Sequence, residues 1–94
     1  MTTIGIFPKT GEFAENKDIA REIRLNEISP AIRDNDEIII DFNNVISITQ
    51  SFAHALLSEL IREYTGEILD KISFKNCNDT IKRIINIVVD YMQV

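Results

Sequence analysis

Hydrophobic positions along the chain switch repeatedly between short continuous runs and the three- and four-residue steps of a helix, and this alternation predicts the order of its elements. Thr3 to Phe7 is a short apolar run closed by Pro8 and the turn residues Lys9-Thr10-Gly11, which reads as a first strand. From about Asn16 to Arg33, Ile19, Ile23, Leu25, Ile28 and Ile32 recur at roughly helical steps, with Asn16 or Asp18 at the start as cap or dipole-matching residue. Pro30 lies inside this pattern. Without an N–H, and crowding the turn before it, it predicts a kink or break near Ser29. Asp34-Asn35-Asp36 then turns into Glu37 to Phe42, where Ile38, Ile39 and Ile40 stand consecutively. Three such residues in a row predict a central strand apolar on both faces, covered by helices above and below or by helix and sheet together.

The pattern is clearest after Ser51, where Phe52, Leu56, Leu57, Leu60, Ile61 and Tyr64 form one helical stripe and Gly66 is the expected C-terminal cap. The other stripe, Ser51, His54 or Ala55, Ser58 and Arg62, is polar or small and predicts a flat face that another protein can approach. Ile68 to Lys75 reads as one more strand, and Asn76 to Thr80 is rich in helix-capping residues. Ile81, Ile84, Ile85, Val88 and Met92 make the core stripe of a last helix, although its β-branched residues make a strand the competing assignment. Ile87, Val89 and Tyr91 add more apolar surface than one buried face needs. Strand and helix thus alternate three times, which predicts an α/β fold with a mostly parallel β-sheet covered by helices.

A length of 94 residues gives a single domain, 1–94, with one modest core. Hydrophobic residues at 45% and charged ones at 27% belong to a folded chain rather than a disordered one. No apolar stretch approaches the roughly 20 residues of a membrane span and no signal peptide opens the chain, so a cytoplasmic protein is expected. Cys77 is the only cysteine, which excludes an internal disulfide and a cysteine-based zinc cluster, and it reads as a small buried hydrophobe at a strand end. A net charge of −5 argues against nucleic acid and for a protein partner. There is no GxGxxG, Walker loop, GxSxG elbow or HExxH, and three glycines are too few for a phosphate cradle. No cofactor or metal is expected.

Several stretches together carry a family resemblance. Thr10-Gly11-Glu12-Phe13, an amphipathic helix, Ile38 to Phe42, the loop Val45-Ile46-Ser47-Ile48 and a serine opening the next helix resemble the STAS fold of anti-sigma factor antagonists. Ile72 to Lys75 and Thr80 to Ile84 resemble that family's next strand and helix. The stretch Thr49 to Leu56 (TQSFAHAL), with Phe74 to Cys77 and Asp90 to Met92, is more specifically similar to the STAS-like DUF4325 group of bacterial domains. The resemblance implies protein–protein switching rather than turnover of a metabolite. It also implies an ATP-binding partner of the histidine-kinase-like type, because true antagonists are phosphorylated by such a kinase at the second serine of Asp-Ser-Ser-Gly. Ser51 occupies that place, while Thr49 stands where the aspartate would be and Phe52 where the glycine would be.

Candidate chemistry therefore concentrates at one junction. Ser51 reads as an N-cap, worth roughly 1 kcal/mol, and as a candidate phosphoacceptor, two compatible roles. The candidate partner-binding residues are Thr49, Gln50, Ser51, His54, Ser58 and Arg62. Ser51 and His54, three apart on a helix, also suggest a small hydrolase, a remote alternative with no oxyanion-hole motif behind it. A constitutive structural or oligomerisation domain without phosphorylation is the nearer alternative. Asp41 reads as structural, and Asp34 to Glu37 as a solvated turn. Other STAS domains generally continue past the helix that Asp79 to Met92 resembles, which leaves Ile87 and Tyr91 uncovered and predicts a homodimer or a bound partner there.

Overall fold

The computed structural model describes residues 1–92. Its framework is a three-stranded, wholly parallel sheet of β1 (Thr2–Gly5), β3 (Ile38–Asp41) and β5 (Ile72–Lys75), with β3 in the centre. A second parallel pair, β2 (Phe13–Ala14) and β4 (Ser47–Ile48), stands beside it. The helices are α1 (Phe7–Thr10), α2 (Lys17–Ile23), α3 (Ser29–Arg33), α4 (Gln50–Tyr64) and α5 (Asp79–Met92). The α/β class, the parallel sheet and the helical assignment of Asp79–Met92 are as the hydrophobic pattern predicts. The short elements α1, β2 and β4 are not.

The register explains why only one face of the main sheet is covered. Ile38 pairs with Ile72, and Ile40 stands between Ile4 and Phe74, so these side chains share a face and most of them are buried. The other face presents Thr3, Ser73 and Lys75, all exposed, around a half-buried Ile39. The expectation that β3 is covered on both sides is thus corrected. Because the strand order β1-β3-β5 advances in one direction only, right-handed crossovers return every helix to the same face. Covering both faces requires a reversal of winding, which this order lacks.

Pro30 neither kinks nor breaks its helix in the expected way. Arg24–Ile28 forms a π-helical segment between α2 and α3, and Pro30 sits in the first turn of α3, where a missing N–H costs least. Helical backbone therefore runs on from Lys17 to Arg33. Asn16 caps it at the front, accepting from the N–H groups of Asp18 (2.8 Å) and Ile19 (3.3 Å). At the back Asn35 takes a left-handed φ of 58°, with its N–H donating to the Ile32 carbonyl at 2.9 Å and that of Asp36 to Ala31 at 3.0 Å. This is a Schellman closure with asparagine in the glycine place. The acidic turn is accordingly not merely solvated: Asp36 accepts from the Thr2 hydroxyl and holds the Met1 ammonium at 2.7 Å, and these contacts lower its pKa.

Elsewhere the strand of Ile68 to Lys75 is shorter than expected, since Gly66–Lys71 is a 3-10 segment and only Ile72–Lys75 is extended. Thr65, not Gly66, ends α4. Gly11 follows α1 with φ 73° and ψ −158°, a backbone conformation that only glycine adopts without strain, and a Cβ there meets nothing within 4 Å. Gly11→Ala is therefore expected to destabilise the fold through the backbone alone, by about 1–3 kcal/mol. Urea unfolding at neutral pH checks this; an unchanged midpoint means that the turn before β2 tolerates a side chain.

Candidate functional site

The start of α4 is anchored by the small β2–β4 pair. Glu12 accepts from the N–H groups of Ile46 (2.7 Å) and Ser47 (3.3 Å), and Ala14 accepts from Thr49 N–H at 3.1 Å, immediately before the helix. From the other side, the Asn78 side-chain amide donates to the Ile46 carbonyl at 2.6 Å while its oxygen caps α5 by accepting from Ile81 N–H at 2.9 Å. Two stretches remote in sequence thus converge on the few residues that precede Gln50.

The capping residue is Thr49. Its hydroxyl oxygen accepts from Phe52 N–H at 3.1 Å, which corrects the reading of Ser51 as the N-cap. Ser51 is the second residue of the helix, exposed, and its hydroxyl makes no hydrogen bond among the described residues. Phe52 is 0% exposed and belongs to the core beside Leu56 and Leu57, so its bulk points away from the Ser51 hydroxyl. Both departures from the antagonist motif therefore have a local structural role.

A groove of about 460 Å³ opens at this end of the helix, lined by Gln50, Ser51, His54 and Ala55 of α4, by Lys17 at the start of α2, and by Val88 and Tyr91 of α5. A second groove of about 540 Å³ continues along α4 past Ser58 and Glu59, walled by Asp18, Arg21 and Arg24. The two share Lys17, His54 and Ala55 and form one trough. Arg24 reaches across it, donating to the Ala55 carbonyl at 3.0 Å.

The candidate residues divide accordingly. Gln50, Ser51 and His54 meet at the groove, and Thr49 is exposed beside it with its hydroxyl engaged in the cap. Ser58 is only 3% exposed, because α2 packs over that part of α4, so it is no part of an open face. Arg62 lies beyond the trough lining and pairs with Glu59 at 2.9 Å on the surface. Ser51 and His54 make no hydrogen bond to each other among the described residues, and no carboxylate there orients the imidazole. The groups needed for a Ser–His nucleophile are not assembled.

The walls of the trough were missed. Lys17, Arg21 and Arg24 stand at i, i+4 and i+7, a spacing legible in the sequence, but only the docking of α2 on α4 reveals what that edge faces. Away from the trough, the Asn76 amide at 2.8 Å and the Asn43 N–H at 2.9 Å hold the Asp41 carboxyl below the usual carboxylate range. Asp41 thereby ties the end of β3 to the residue after β5. Cys77 is half-buried, and burial pushes its thiol pKa up, away from reactivity. Among the described residues no cluster of side chains suits a metal ion, and no helix is long and apolar enough to cross a membrane.

Residues 20–82 match the family described as a STAS-like domain of unknown function (DUF4325). No protein of curated function and no solved structure matches the chain. The capping geometry has a direct test. Thr49→Ala is expected to lower stability by about 1 kcal/mol and Ser51→Ala to leave it within about 0.5 kcal/mol, read as urea midpoints. The reverse ranking returns the cap to Ser51.

Proposed function

The chain belongs to the STAS-like DUF4325 family, and from that premise we propose that it is a non-catalytic interaction module that docks a protein partner through the start of α4. One observation carries the reading: Ser51 and His54 lie exposed on the floor of an open groove whose far wall includes Tyr91, 73% exposed. STAS-like domains are generally non-enzymatic, in keeping with the unassembled Ser–His pair. By the STAS resemblance, the partner is an ATP-binding protein of the histidine-kinase-like type, and Ser51 is its phosphoacceptor. A phosphate on Ser51 brings about −1.5 to −2 charges to the N-terminal turn of a 15-residue helix, where the dipole and free N–H groups favour it. The same group would put negative charge on the groove floor and repel an acidic docking surface.

In a pull-down of the tagged chain from its own cells, Ser51→Asp is expected to lose a partner that Ser51→Ala retains. Equal recovery by both variants removes the switch, and a phosphorylated species missing from the intact mass under all growth conditions favours a constitutive module.

A second reading rests on α5. Ile87 is 42% exposed and Tyr91 extends the same outward side, which supports self-association through this helix as a homodimer. Light scattering is expected to give a dimer for the native chain and a monomer for Ile87→Glu; a native monomer at high concentration ends this reading.

A further inference from the structure

The chemistry of the trough walls narrows what kind of partner fits. The chain has 15 acidic and 10 basic residues, yet α2 and the π-helical segment after it turn a basic edge, Lys17, Arg21 and Arg24, toward α4, while Glu22 stands on the side away from the trough. Among the described residues none of the three cations forms an ion pair; the pairs present are Met1 with Asp36 and Arg62 with Glu59. Asp18 and Glu59 also line the trough, but Glu59 is held by Arg62, which leaves a basic excess. The opposite wall is apolar, made by Val88 and Tyr91. On the floor Ser51 is small, while His54 is exposed and Arg24 donates across to the Ala55 carbonyl, so a docked backbone approaches closest at Ser51.

We infer that the trough takes an amphipathic helix of a partner protein, with acidic residues along the edge that faces α2 and apolar residues along the edge that faces α5. This rests on the reading of the α4 start as a docking surface and names the chemistry that surface selects. Helices form every wall, so the trough offers no free strand edge, and an extended peptide would leave its backbone groups unpaired. A helix satisfies its own backbone and repeats residues along each edge at three- and four-residue steps, so an acidic edge and an apolar edge can face the two walls. From Ser51 to Ala55 the open floor runs about 6 Å, one helical turn, so acidic side chains one turn apart can reach Lys17 and Arg21, which are themselves one turn apart. Phosphate on Ser51 would place negative charge in the groove that Lys17 lines and compete with the acidic edge for that cation.

Two synthetic helical peptides with one shared apolar stripe, one edged with glutamate and the other with lysine, test the inference by amide-shift titration of the full chain. The glutamate-edged peptide is expected to bind, to move the amides of Lys17, Ser51, Ala55 and Tyr91, and to weaken as salt rises. The double variant Lys17→Glu/Arg21→Glu, at two exposed positions, is expected to weaken it about tenfold and to favour the lysine-edged peptide. Tyr91→Ser is expected to weaken both, testing the apolar wall without altering charge. Binding of neither peptide, equal binding of both, shifts confined to the open sheet face, or an affinity unmoved by the double variant overturns the inference. A cellular partner lost on Ser51→Asp but indifferent to Lys17→Glu/Arg21→Glu leaves the docking surface standing and overturns the acidic helix alone.

Discussion

A three-stranded parallel sheet wound in one direction has only one side on which to build a core, and every helix here must share it. Ile4, Ile38, Ile40 and Ile72 form the floor of that core, each buried side chain worth about 1.5–3 kcal/mol relative to exposure. Layered on them are the buried residues of α4, from Phe52 to Ile61, and the Ile81, Ile85 and Val88 stripe of α5. Helix α4 packs between α2 and α5, and its N-terminal half stays open along the strip between its two neighbours. The trough follows from that crowding.

The β2–β4 pair gives this strip its definition. With two residues in each strand it contributes little area, but its hydrogen bonds from Glu12 and Ala14 fix the backbone that enters α4. Thr49 then completes the cap, which releases Ser51 from structural duty. A serine that caps a helix has its oxygen occupied; one at the second helical position keeps it free at the positive end of the dipole. The replacement of the antagonist aspartate by Thr49 is in this light a capping choice, and Phe52 in the glycine position is a core residue rather than an obstruction.

Charge segregation is a second consequence of the same layering. Along α2 the basic residues recur on one edge, and packing turns that edge toward the open strip of α4. A protein that repels anions on average therefore presents cations along this trough, beside an apolar wall.

Local features were legible from the residues themselves. Asn16 as a cap, the helices around Leu56 and Ile85, the extended Ile38–Asp41 segment and the STAS-like resemblance all depend on neighbours within a few positions or on a contiguous motif. The π-helical passage before Pro30 was not legible, because no residue type or spacing marks such a segment and Pro30 by itself reads as a break. Nor were β2 and β4, whose two-residue strands exist only by pairing across more than thirty positions of sequence. What the sequence by itself determined is where the long helices and the central strand lie, and that Ser51 stands at a helix start. Tertiary structure alone decided that β3 has a wet face, that Ser58 is covered, and that Lys17 and Tyr91 line the groove at Ser51. Strand order and helix docking bring together residues whose spacing along the chain carries no trace of their proximity.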